Sequence, residues 1–359
     1  MKLLILANND VGLYQFRKEL IAELLKAHQV MISLPNGDLV RPLEAQGCNF
    51  IETPVDRRGI NPLNDLKLLF CYLQILLSYK PELVLTYTIK PNIYGGFACR
   101  LLKIPYAVNI TGLGTAFQKK GLLRAVIIAM YRIALRKAKV VFFENVENQQ
   151  SLLQADIVHE EQCCLLNGAG VNLEHYTYTD YPTTSPVRFL FMGRIMKEKG
   201  VDELFAAMRK LRQDGLDCVL DVLGNYEEDY ADLICQYESE GWLFYHGYQR
   251  DVRPFIANSH CFVLPSWHEG MANTNLECAA MGRPVITSRI HGCLEAVVEG
   301  KSGYLCEPKD AESLYRVMKH FLVLDYEHRA QMGYVGREHI EAVFDKQRVI
   351  EETIRALQR

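Results

Sequence analysis

Short apolar runs that alternate with helix-length stretches constrain this chain more than any other feature. Strands are predicted at Lys2–Ala7, Val30–Leu34, Asn49–Thr53, Leu83–Thr86, Tyr106–Ile110, Val140–Glu144 and Cys164–Asn167. Helices are expected between them, at about Tyr14–Ala27 and Leu66–Leu77. Such alternation makes a parallel sheet covered on both faces, which is why the strands are apolar throughout. The pattern halts at Tyr176–Pro186, a polar, proline-bearing segment that reads as an interdomain linker. It then restarts. Val187–Met192, Cys218–Leu223, Leu243–His246, Cys261–Pro265 and Pro284–Thr287 read as strands, and Ser302–Leu305 turns into a last one. Helices are expected from about Val201, at Ala311–Leu324, Glu327–Val343 and Asp345–Leu357. The fold class is therefore α/β, with two Rossmann-like domains at 1–176 and 187–344.

Composition narrows the class. A chain of 359 residues, 49% hydrophobic and 23% charged, suits a soluble globular protein. The net charge of -3 argues against nucleic acid as a partner of the whole chain. Eleven scattered cysteines form no C-x-x-C pair and read as reduced, mostly core residues of a cytoplasmic protein. Met1-Lys2 leads into an apolar run too short for a secretory signal, and no run is long enough to span a bilayer. The charge is uneven, however. Between Arg57 and Lys139, fourteen lysines and arginines are set against Asp65 and Glu82 alone. Lys119–Lys139 contains no acid, and Arg124, Arg132, Arg136 and Lys139 are spaced to share one helical face. Such a basic amphipathic helix suits contact with an anionic membrane surface, and a solvated basic face on a half-buried helix is the plainer alternative.

The stretch with most chemistry is Trp267–Glu277, Trp-His-Glu-Gly-Met-Ala-Asn-Thr-Asn-Leu-Glu. It lies between a predicted strand and a predicted helix, so Glu269 falls in the loop and Glu277 on the helix. Open α/β sheets bind ligands at such strand ends. Loop amides at the helix N-terminus, from Gly270, Met271 and Ala272, attract anions. Two carboxylates beside a phosphate-binding turn suit a ligand with both hydroxyls and phosphates, as in a nucleotide sugar. A second strand-to-helix loop, Gly193–Gly200, carries Arg194 and Lys199, whose charges add to a helix N-terminus to hold a diphosphate. In the first domain, Gly12 falls in the first strand-to-helix loop, where an ordinary tight turn is as good a reading as ligand contact. Lys90, in Tyr87–Gly96, reads equally as a phosphate contact or a solvated lysine.

The spacing Glu269-x7-Glu277 resembles the E-x7-E motif of family 4 retaining glycosyltransferases. The likeness runs on through Leu276–Ile286 to His291–Glu295, and Gly193–Gly200 resembles the same family's G-R-x-x-x-x-K-G motif. The resemblance covers most of the second half of the chain and is nearest to bacterial transferases of capsule, O-antigen or exopolysaccharide assembly. It implies the GT-B fold, two Rossmann-like domains facing across a cleft, with the helix at 345–359 crossing back to the first. It also implies roles. Arg194 and Lys199 bind the donor diphosphate and Glu277 the ribose hydroxyls. Glu269 and the amides of Gly270–Ala272 position the donor sugar. The donor is expected to be UDP-linked and the acceptor an undecaprenyl-diphosphate glycan, placing the enzyme on the inner face of the cytoplasmic membrane. No D-x-D-type metal site is evident, so neither metal nor cofactor is expected. The sequence departs from the family in two places. The first loop has one glycine where two are common, and Asn109 and Thr111 stand where many relatives have histidine near the donor sugar.

Other classes remain open at this point. A nucleotide-sugar 2-epimerase shares the architecture, and a non-catalytic nucleotide-sugar-binding subunit would share the motifs. A dehydrogenase is disfavoured, because the first loop lacks G-x-G-x-x-G.

Overall fold

The computed structural model describes residues 1–56, 59, 61–113 and 121–359, the side chains of Leu122 and Leu123 excepted. Arg57, Arg58, Lys119 and Lys120 of the basic run lie outside the described residues. The chain divides into two compact units, Met1–Ala169 with Arg348–Arg359, and Gly170–Gln347.

The first unit runs β1 (Lys2–Leu6), α1 (Asp10–Leu25), β2 (Gln29–Leu34), α2 (Val40–Ala45), β3 (Asn49–Glu52), α3 (Pro62–Tyr79) and β4 (Leu83–Tyr87). It continues through a π-helical turn at Pro91–Gly95 into α4 (Gly96–Leu102), then β5 (Tyr106–Ile110), α5 (Leu122–Leu135), β6 (Val140–Phe143), α6 (Val146–Gln154) and β7 (Cys163–Leu165). The strands pair in parallel in the order β3-β2-β1-β4-β5-β6-β7. Every residue of β4, Leu-Val-Leu-Thr-Tyr, is buried, as expected when helices cover both faces. One face packs against α1 through Leu13, Leu20 and Ile21, and the other against α3 and α5 through Leu68, Ile75, Tyr131 and Ala134.

The second unit runs β8 (Val187–Met192), α7 (Val201–Gln213), β9 (Cys218–Leu223), α8 (Ala231–Ser239), β10 (Leu243–Gly247), α9 (Arg253–Asn258), β11 (Cys261–Leu264) and α10 (Asn273–Ala280). It ends with β12 (Val285–Ser288), β13 (Gly303–Cys306), α11 (Ala311–Val323) and α12 (Tyr326–Val343). Its parallel order is β10-β9-β8-β11-β12-β13. Both sheets reverse direction once, at β1/β4 and at β8/β11. A doubly wound sheet binds ligands at the carboxyl ends beside that reversal.

Three expectations are corrected. First, the opening helix begins at Asp10 rather than Tyr14. Asn9 caps it, its Oδ1 accepting the Gly12 N–H at 2.6 Å. Gly12 therefore lies in the first helical turn, not in an open loop, and its amide is committed to that cap. Second, Tyr176–Pro186 is no free linker. Tyr181 is buried and donates to the His260 carbonyl at 2.9 Å, and Arg283 reaches Thr179 and Asp180. The segment belongs to the second unit, and the boundary falls at 169/170 instead of 176–187. Third, Arg132 of the Lys119–Lys139 stretch is bonded within the unit rather than being a free cation. Arg132 donates to the carbonyls of Ala155 (2.6 Å) and Asp156 (3.0 Å), satisfying the end of α6, while Arg136 is the C-cap of α5. The closing helix α13 (Lys346–Gln358) does return, since Val349, Ile350, Ala356 and Leu357 enter the core of the first unit.

Candidate active site

The cationic and acidic loops follow β8 and β11, which are paired neighbours: Cys261 lies opposite Phe189 and Phe262 opposite Leu190. Both loops therefore leave the same edge of one sheet, on either side of its reversal point. Gly200 brings them together. It is left-handed (φ 72°), and a Cβ there would lie 2.1 Å from the Pro265 carbonyl oxygen. Only glycine permits that approach. A backbone bond from Trp267 N–H to the Glu198 carbonyl, at 3.0 Å, ties the loops again.

The side chains then meet. Lys199 Nζ donates to Glu269 Oε1 in a short ion pair, and the Ser266 hydroxyl donates to the same oxygen at 2.8 Å. Both charged groups are largely buried, at 18% and 12% side-chain exposure. Buried carboxylates keep their charge when so paired and hydrogen-bonded. Arg194 is half exposed, with its guanidinium 3.6 Å from Glu227 Oε2. It is the more accessible of the two cations.

The acidic loop is also held from the other side. Gly292, after β12, has φ 89°, and a Cβ there would lie 2.7 Å from the Gly270 carbonyl oxygen. Its own carbonyl accepts the Ala272 N–H at 2.7 Å, and its N–H donates to Glu295 Oε2 at 2.7 Å. The expectation that the Ala272 amide faces a ligand is thereby corrected, because the Gly292 loop takes that donor. Met271 and Ala272 are buried beneath the loop, at 7% and 4% exposure.

Glu277 lies on α10, five residues into the helix. Burial pushes its carboxyl up to about 7, against the lowering effects of a hydrogen bond to Tyr176 and the Lys346 charge. The Tyr176 hydroxyl is held well above its ordinary range, chiefly by desolvation and further by the neighbouring Glu277 carboxyl. Tyr176, Ser266 and Gly292 were not visible as site residues in the sequence. Nothing in a lone Tyr-Thr-Tyr segment signals contact with a helix a hundred positions away. His246 packs on Phe255 and meets Asp221 at 2.7 Å, a structural place.

In the first unit, Lys90 is bonded to Asp65 at 2.6 Å, and the Tyr94 hydroxyl donates to the other carboxylate oxygen at 2.9 Å. Lys90 is thus an interior ion pair (13% exposed) rather than a solvated hook for phosphate. Nearby, Thr88 adopts φ 73°, unusual for a β-branched residue, and its hydroxyl is buried without a partner. Asn92 links Thr86 Oγ1 (2.7 Å) to the Asn109 carbonyl (2.9 Å) beneath it. Asn109 is therefore a buried bracket between strands. Among the described residues no group of three or more His, Cys, Asp or Glu is arranged to hold a metal.

Two doubly wound units with these motifs at the reversal point of the second define a GT-B transferase. Residues 2–145 match the glycosyl transferase 4-like family and residues 182–339 the glycosyl transferases group 1 family. The chain belongs to the group 1, family 4-like glycosyltransferases. It is 25% identical to an N,N'-diacetylbacillosaminyl-diphospho-undecaprenol alpha-1,3-N-acetylgalactosaminyltransferase of Campylobacter jejuni, over 88% of this chain and 87% of that one. It is also 25% identical to the capsular polysaccharide biosynthesis glycosyltransferase CapM of Staphylococcus aureus, over 82% and 81%. Anabaena HepE, solved with UDP-glucose, superposes with a TM-score of 0.81 at 17% identity, covering 100% and 99% of the two chains. A glycosyltransferase of Rickettsia africae gives 0.78 at 19%, covering 99% and 97%.

Proposed function

We propose that this glycosyltransferase moves a sugar, with retention, from a nucleotide diphosphate, UDP by preference, to a lipid-linked glycan in cell-surface polysaccharide assembly. The observation that carries the reading is the Lys199–Glu269 contact across two loops at one sheet reversal, with Arg194 exposed beside it. A diphosphate entering there finds Arg194 accessible and can draw Lys199 from Glu269. Both cations then oppose the charge that grows on the leaving phosphate, where stabilisation has most effect on rate. Glu269, released from Lys199 but held by Ser266, accepts hydrogen bonds from the donor sugar. Glu277 receives the ribose hydroxyls.

The exchange balances without a protein-bound intermediate. The acceptor hydroxyl oxygen bonds to the anomeric carbon on the face the phosphate leaves. The anomeric carbon–oxygen bond to phosphate breaks, and the departing phosphate oxygen takes the hydroxyl proton. With two protein cations opposing the phosphate charge, we infer that no metal ion is required.

Acceptor chemistry follows from the first unit's positive charge, which favours the phosphates of a polyprenyl diphosphate at the inner face of the cytoplasmic membrane. The Campylobacter relative is named for an undecaprenol-diphosphate acceptor. Among the described residues no helix is long and apolar enough to cross a membrane, so contact would be peripheral.

A thermal-shift panel of nucleotides and nucleotide sugars tests the donor. UDP or a UDP-sugar should raise the melting temperature by mass action, and Arg194→Ala with Lys199→Ala should remove the rise. A panel with no response, or an unchanged response in the double variant, would overturn the assignment. Transfer that persists in chelator tests the metal statement.

A further inference from the structure

We propose that the outward face of α3, α4 and α5 is a docking surface for an anionic bilayer, with an apolar stripe of α3 entering the headgroup region. α3 is apolar on two sides. Leu68, Tyr72, Ile75 and Leu76 pack into the sheet's core. Leu63, Leu66, Phe70 and Leu77 lie on the other side, 49–67% exposed. Their spacings of three, four and seven residues keep them on one stripe. Such a stripe, interrupted on its own side only by Lys67 and Gln74, is more apolar than a solvated helix face requires, and it is not in the interior.

The stripe has neighbours. α4 and α5 cover the same side of the sheet as α3 and share its core, so their outer faces point the same way. They expose Leu101 (71%), Val126 (45%) and Ile133 (53%). Large exposed apolar side chains gathered on one side of a unit mark an interaction site.

Charge identifies the occupant. Each of the three helices ends on a cation, with Lys80, Lys103 and Arg136 at the C-caps, and Lys67 is exposed beside the stripe. The helix dipole accounts for cations at those ends. It does not account for the scarcity of acids. From residue 61 to 139 there are only Asp65 and Glu82, and these are bonded to Lys90 and to the Lys2 backbone amide. An apolar band with a positive rim is complementary to anionic lipid.

Position adds a further argument, which rests on the transferase reading above. The first turns of α3 border a hollow of about 600 Å³ lined by Asn36, Glu52, Asp65 and Lys67, among others. A lipid-linked acceptor could keep its chain in the bilayer at Leu63 and Leu66 while its sugars reach that polar hollow.

Flotation with phosphatidylcholine vesicles, with and without phosphatidylglycerol, tests the surface. The wild-type chain should float with the anionic vesicles and retain part of its binding at high salt. Leu66→Gln with Phe70→Gln, both at exposed positions, should lower the bound fraction about tenfold with an unchanged melting temperature. Equal flotation of wild type and variant, or no flotation with anionic vesicles, would overturn the proposal. So would a double variant that only converts a dimer to a monomer. The UDP thermal shift, run on the same samples, reports on the transferase reading separately.

Discussion

Glu277 has a carboxyl raised to about 7 by burial, from an ordinary value of 4.5. In that interval the folded chain binds a proton that the unfolded chain does not. The contribution to stability is complete below about pH 4.5 and is lost as pH rises through about 7. Denaturant midpoints at pH 5 and pH 8 should therefore differ more for the wild type than for Glu277→Gln, which has no proton to release. The same titration should govern ligand binding. A carboxylate accepts two ribose hydroxyls better than an acid does, so nucleotide affinity should rise from pH 6 to pH 8, and Glu277→Gln should flatten that rise. An equal slope in the variant would remove Glu277 from the ribose. The sequence showed both glutamates and both cations as site candidates, because charge at strand ends is rarely idle. It could not show that Lys199 and Glu269 bond each other across 70 positions, or that Lys90 is bound up with Asp65. Those pairings depend on how strands are ordered in space, which no local spacing encodes.

At the scale of elements, the loops hold the site, and the glycines hold the loops. Gly200→Ala puts a methyl group within 2.1 Å of the Pro265 oxygen at a left-handed position. The loops must separate, and a displacement of about 1 Å costs on the order of 100-fold in rate. Steady-state kinetics should show kcat falling, with UDP binding changed much less. Arg283 makes a different prediction. It is fully buried and donates to the carbonyls of Thr179, Asp180, Ile256, Ala257 and Gly282. Arg283→Met removes the buried guanidinium from these carbonyls, of which, among the described residues, Ile256 alone keeps Ser259 as a donor, and should cost about 3 kcal/mol in denaturant unfolding. Strands β8 and β9 were legible residue for residue, since each is an apolar run with a single charged residue, Arg188 or Asp221, that stops at a glycine turn. The start of α1 was not, because Asn8-Asn9-Asp10 resembles a turn until one asks which side chain caps a helix. The Tyr176–Pro186 segment misled for a related reason. Proline and threonine signalled exposure, but its tyrosine is buried against a neighbouring strand and its carbonyls meet a buried arginine.

At the scale of the molecule, α13 makes the first unit depend on the last residues of the chain. Val349, Ile350, Ala356 and Leu357 are buried in a core otherwise built from residues 3–166, and Lys139 Nζ donates to the Leu357 carbonyl at 2.8 Å. Burying three such branched side chains and one alanine stabilises by roughly 5 kcal/mol at the usual value per side chain. That is a large share of a domain's net stability. Ending the chain at Gln347 should therefore unfold the first unit at a lower denaturant concentration while leaving the second near its original midpoint. UDP discriminates the two transitions, because Arg194, Lys199, Glu269 and Glu277 all lie in the second unit. Added nucleotide should delay the later transition and leave the earlier one in place. A truncated chain that still unfolds in one step, with UDP delaying the whole of it, would show that the two units share one cooperative fold and that the return of α13 is dispensable.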